Sequence, residues 1–139
     1  MIPESHHGRF VGPNRLWFYP GTPAHLSDGE LEVAADRLTI RWSHEGAPHQ
    51  GSLVLSGPAP SCAGSFTDSF HAAGGLALHG RQEGAAVRLY GTYPAGEGAP
   101  DWGWRIEVDW AVPDRVGLRM FNVEPDGSET IAVELSAGR

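Results

Sequence analysis

Between Trp102 and Trp110 the chain alternates with a period of two. Trp102, Trp104, Ile106, Val108 and Trp110 fall on one side, and Gly103, Arg105, Glu107 and Asp109 on the other. Successive side chains of a strand face opposite sides of its sheet, so the pattern predicts a β-strand with one dry face and one wet face. A helix would scatter the same five apolar groups around its circumference. Three indoles are bulky for the dry face of a small sheet, which points to an interior built around aromatic rings, with room for a guest.

The same alternation recurs along the chain. Leu38, Ile40 and Trp42 share a face that His44 continues, and Phe66 and Phe70 flank Asp68 with Thr67, Ser69 and His71 opposite. Val87, Leu89, Gly91 and Tyr93 oppose Arg88, Tyr90 and Thr92; Val116, Leu118 and Met120 lead to Asn122; Ile131, Val133 and Leu135 close the chain. Turn residues punctuate these stretches: Ser27-Asp28-Gly29, Asp36, Glu45 to Pro48, Gly57 to Pro60, Ala73-Gly74-Gly75, Glu83-Gly84, Pro94 to Pro100, Pro113-Asp114 and Pro125-Asp126-Gly127. One stretch is ambiguous. Ser27 to Glu30 has the form of a helix capping box, and Leu31, Ala35, Leu38 and Trp42 keep helical spacing. The alternation of Leu31 with Val33 and of Leu38 with Ile40 and Trp42, together with the β-branched Val33, Thr39 and Ile40, favours two strands.

Short strands joined by short connections leave little chain for crossovers and predict an up-and-down meander. A meander of about ten strands curls and closes, because closure removes its exposed edges. The expected fold is therefore all-β, a closed antiparallel barrel, with residues 1–7 as an N-terminal tail and residues 8–139 as one domain. A barrel of about eight to ten strands holds either packed side chains or one small ligand.

Composition narrows the function classes. Gly (19) and Pro (11) are abundant, which suits many turns and would burden a helical protein. Acidic residues outnumber basic ones by 17 to 10, every basic residue is Arg, and no run of Arg forms a basic stripe. Nucleic acid and anionic membrane surfaces are therefore not expected partners. The single cysteine, Cys62, has no internal partner, residues 1–7 carry no export signal, and no apolar run reaches membrane-span length. A soluble cytoplasmic protein is expected.

Several pieces resemble a family of bacterial lipocalin-like proteins of the calycin group, catalogued as a domain of unknown function. They are Gly8 to Gly12 leading into Arg15-Leu16-Trp17, Gly51 to Leu55, Phe66 to His71, Gly91 to Pro94, Pro100 to Ile106, and Met120-Phe121-Asn122 with the turn Pro125-Asp126-Gly127. The resemblance implies a closed antiparallel barrel and no established activity. A haem-binding barrel family of the same group holds its iron through a His late in the chain. Here the last histidine is His79, so haem is not expected, and no cofactor is.

The candidate site follows from the inward positions. Trp42, Phe66, Phe70, Trp102, Trp104 and Met120 are the expected walls of a pocket for a small hydrophobic or aromatic molecule, since pockets are mainly apolar with a few placed polar groups. His44, Asp68 and Asn122 occupy alternation slots with apolar neighbours and are the expected polar anchors. A buried carboxylate needs a partner, so Asp68 is expected to pair with His44, Asn122, an inward Arg or a ligand. An Asp68–His44 pair would support acid–base chemistry (isomerisation, cyclisation or hydration) as an alternative to binding alone. A packed structural module without a cavity is a third reading. His44 and His49 flank a turn and His6 adjoins His7, but no three or four convergent ligands are spaced for a metal. Arg88, Tyr90 and Arg105 read as outer positions; apolar outer faces taken together would favour a homodimer.

Overall fold

The computed structural model describes residues 1–139 and contains ten strands: β1 (Gly8–Leu16), β2 (His25–Val33), β3 (Arg37–His44), β4 (Ala47–Ser56), β5 (Ser61–Asp68), β6 (Ala72–Glu83), β7 (Ala86–Tyr93), β8 (Trp102–Asp109), β9 (Arg115–Val123) and β10 (Glu129–Gly138). Each strand pairs antiparallel with the next, and β1 pairs with β10, so the meander closes into the barrel that the alternation predicts. The ambiguous stretch forms the two strands β2 and β3, not a helix. No helix is long and apolar enough to cross a membrane.

Parity along each strand sorts the side chains as expected. Leu38, Ile40 and Trp42 of β3, Leu53 and Leu55 of β4, Ile106 and Val108 of β8, and Leu118 and Met120 of β9 join Phe10, Leu31 and Phe66 in one contiguous buried core. Trp104 and Trp110 are buried with them, while Trp102 is half-buried at the rim.

Two of the turn signals lie inside strands. Ser27-Asp28-Gly29 runs through the middle of β2, and the chain reverses earlier, between β1 and β2, where Pro20, Gly21 and Pro23 stand. Gly29 pairs with Gly12 across β1 and β2. A Cβ at Gly29 would lie 2.5 Å from Leu135 Cδ1, and one at Gly12 would lie 1.9 Å from the Ser136 carbonyl oxygen. These glycines permit close approach where the barrel shuts, not chain reversal. Ala73-Gly74-Gly75 likewise lies within β6, in an irregular stretch of its pairing with β5, and the reversal falls at Ser69–His71.

The two ends of the barrel differ. At the end where β1 begins, residues 1–7 are no loose tail: a short 3-10 turn, Glu4–His6, folds across the opening and buries Ile2 in the core. The Ile2 N–H donates to the Ala35 carbonyl at 3.1 Å, and the His6 ring reaches the Val112 carbonyl at 3.0 Å. The Arg139 guanidinium donates to the carbonyls of Ser5 and His7 at 2.6 and 2.7 Å. An apolar side chain two residues from the chain start, on a segment too short to show periodicity, explains why alternation alone missed this stopper. The opposite end is the mouth, where the β5–β6, β7–β8 and β9–β10 connections meet.

Candidate functional site at the barrel mouth

At the mouth the wall parts between β6 and β7. Their paired residues run only from Glu83 with Ala86 to His79 with Tyr90, whereas β6 continues back to Ala72 along β5 and β7 continues to Tyr93 along β8. The parting leaves a cavity of about 340 Å³ lined by His71 and residues 72–76 on one side and by Tyr93, Trp104 and Asn122 on the other. Parity on β7, β8 and β9 turns Tyr93, Trp104 and Asn122 inward.

Asp68 closes β5 and organises the turn that follows. Its carboxylate Oδ1 accepts the backbone N–H of Phe70 at 2.6 Å and that of His71, and its Oδ2 contacts His71 Nδ1 at 3.0 Å. Burial pushes the Asp68 carboxyl up, but the His71 ring and these two N–H groups outweigh it and hold the acid below its ordinary value. An ionised carboxylate can only accept, so the His71 ring carries its proton on Nδ1 and donates it to Asp68. Nε2 of the same ring makes no hydrogen bond within the protein.

Aromatic rings fix His71 on three sides. The ring stacks near Trp42 at 6.3 Å between centroids, tilts against Trp104 at 5.1 Å and meets Phe70 edge-on at 4.8 Å. Trp42 and Trp104 are both buried, and neither indole N–H finds an acceptor in the protein. On the far wall Tyr93 donates its hydroxyl to Asn122 Oδ1 at 2.5 Å, which leaves the Asn122 amide nitrogen free to donate. Burial pushes the Tyr93 phenol up, so it remains a donor.

Of the residues expected to form the pocket, Trp104 and Asn122 line the cavity and Trp42 backs it. Phe66 and Met120 do not: both are buried in the packed core beneath. Trp102 stands at the rim opposite Tyr93 and is not part of the lining. Phe70 half-covers the mouth, packed on Phe18, His44 and His49. Beneath it the buried side chains form one contiguous core, and the cavity occupies one end of the barrel.

The expected Asp68–His44 pair does not form. His44 lies in an outer cluster with Phe18 and His25, each ring centroid 5.0 Å away, and its nearest carboxylate is Glu45 at 3.8 Å. Asp68 pairs instead with His71, which strand parity had placed on the opposite face. Parity fails there because β5 ends at Asp68, and the tight turn carries His71 back to the side of the carboxylate. Tyr93 was also missed as a site residue, although its inward slot on β7 was visible in the alternation. No three His, Cys, Asp or Glu side chains converge to hold a metal ion.

A second concavity, about 250 Å³, lies on the outer face of β6, β7 and β8, where Arg88, Tyr90 and Arg105 sit as expected. Its guanidinium groups are already engaged: Arg81 with Glu83, Arg88 with Glu83 and Glu107, Arg105 with Glu107 and Glu129. Paired surface charges leave little for a ligand. In comparisons with known proteins, the chain matches no family model and no curated sequence.

Proposed function

We propose that the mouth cavity binds a small, flat, largely apolar molecule bearing one hydrogen-bond acceptor. The observation that carries this reading is the buried indole N–H of Trp104, a residue that lines the cavity and whose N–H has no acceptor in the protein. Leaving a buried donor unmade costs about 1–3 kcal/mol, and an acceptor on the ligand recovers part of it. The volume, about 340 Å³, falls at the small end of the range for ligand pockets. His71, Tyr93 and Trp104 offer ring faces, and the Asn122 amide offers a second donor. A barrel closed at one end and open at the other suits a calycin-like carrier, in keeping with the family resemblance. The buried free thiol of Cys62 suits a reducing cytoplasm.

Tryptophan-fluorescence titration with 5-nitroindazole, a flat heteroaromatic with a ring acceptor, tests the reading. Saturable one-to-one quenching is expected. Trp104→Phe deletes the N–H and trims the indole to a single ring, and should weaken affinity by about 5-fold or more. Linear, non-saturating quenching, or unchanged affinity in a folded Trp104→Phe variant, would refute it.

A further inference from the structure

We propose that the protein is also a catalyst, in which His71 acts as a general base on the molecule held in the mouth cavity and Asp68 positions its ring. The substrate class is small aromatic or heteroaromatic compounds with an acidic C–H beside a carbonyl or an electron-accepting ring atom. The inference rests on the binding reading, since the base acts only on what the cavity holds.

The contrast with His6 carries the argument. His6 is a buried structural histidine and uses both nitrogens, Nδ1 against Ser5 Oγ at 3.2 Å and Nε2 against the Val112 carbonyl at 3.0 Å. His71 uses one. Its Nδ1–H is committed to Asp68, its ring lines the cavity, and its side chain keeps 15% of its surface accessible. The lone pair of the neutral ring therefore sits on Nε2, which has no protein partner. A ring whose N–H is held by a buried carboxylate, with the other nitrogen unpartnered on a residue that lines a cavity, has the arrangement a general base requires. Packing against Trp42, Trp104 and Phe70 prevents the ring from turning away. Asp68 is itself locked by two backbone N–H groups, so the dyad is rigid before substrate arrives.

The step balances without an outside reagent. The substrate C–H bond breaks, its proton moves to His71 Nε2, and the electron pair passes into the conjugated system to the acceptor atom. The Trp104 N–H and the Asn122 amide supply hydrogen bonds to the charge that develops there, and the Asp68 carboxylate stabilises the imidazolium. The same proton returns to another carbon of the substrate, giving an isomer.

The probe is 5-nitrobenzisoxazole. Removal of its ring C–H proton breaks the N–O bond and releases a coloured nitrophenolate; the imidazolium then passes the proton to water. Turnover by the intact protein is expected to exceed that of equimolar free imidazole by about 100-fold or more, the usual worth of a positioned base. His71→Gln should fall to the imidazole background even at saturating substrate; because a ring face is lost with the base, its 5-nitroindazole affinity is measured alongside so that lost turnover is read only on the bound complex. Asp68→Asn should lower kcat with little change in KM, and its His71 ¹⁵N resonances should lose the single Nδ1–H tautomer seen in the parent, a signature that a merely structural Asp68 would not govern. Binding of 5-nitroindazole without turnover above imidazole, or equal turnover in a folded His71→Gln variant, overturns the catalytic inference and leaves the binding reading standing. Absence of both binding and turnover overturns both.

Discussion

Truncating Asp68 to Ala removes the acceptor of three hydrogen bonds at once: from the Phe70 N–H, the His71 N–H and the His71 ring. A hydrogen bond to a charged group contributes about 1.5–3 kcal/mol, but these three share one turn and water can reach the stranded donors at the rim. A total loss of about 3 kcal/mol follows for Ala. Asn keeps one carbonyl oxygen for the backbone donors and should lose about 1 kcal/mol at neutral pH. At about 3–4 °C per kcal/mol for a domain of this size, Tm falls by about 10 °C for Ala and about 3–4 °C for Asn. The pH dependence has a fixed sign. The folded acid titrates below its ordinary value, so its contribution is complete above the unfolded carboxylate pKa of about 3.9 and drains away as pH falls through the folded value. Once protonated, Asp68 resembles the amide. The difference between wild type and Asp68→Asn should therefore shrink as pH falls below about 4. Urea unfolding followed by tryptophan fluorescence at several pH values measures it. A difference that persists unchanged at pH 3, or an Asp68→Ala variant that melts with wild type, would show that the carboxylate does not hold the turn.

Two further expectations concern the frame around the site. Gly12→Ala sets a Cβ 1.9 Å from the Ser136 carbonyl oxygen, a backbone-to-backbone clash that no side-chain rotation relieves; thermal melts should show a loss of about 3 kcal/mol or more and weakening of the β1–β10 seam. Ile2→Ala should cost about 2–4 kcal/mol by emptying the stopper at the closed end, with 5-nitroindazole affinity at the mouth unchanged in the folded fraction; a loss below 1 kcal/mol would mean that residues 1–7 are not part of the core.

The barrel was legible because parity is a long-range signal. Several alternating stretches with one dry face, joined by short connections, leave closure as the arrangement that buries those faces. Residues whose role depends on a single close contact were illegible. Gly29 has the letters of a turn, and only the three-dimensional approach of Leu135 shows that it is a packing glycine. The site followed the same division. Trp104 and Asn122 came from parity, and Trp42 was right in direction though it stands behind the cavity. Asp68 was correctly picked as a buried acid in need of a partner. The partner was misassigned because alternation holds only while the strand lasts, and His71 lies three residues on, beyond its end. Phe66 and Met120 point inward as expected but sit too deep: parity gives direction and carries no information on depth along the barrel axis.

The β6–β7 seam is held by five cross-strand pairs, against eight between β7 and β8. It behaves as a zip already partly drawn. Releasing the next pair, His79 with Tyr90, would cost about one backbone hydrogen bond, roughly 0.5–1.5 kcal/mol, besides the packing of the side chains around it. Residues 72–76 therefore present a backbone edge beside the cavity where a neighbouring strand would otherwise stand.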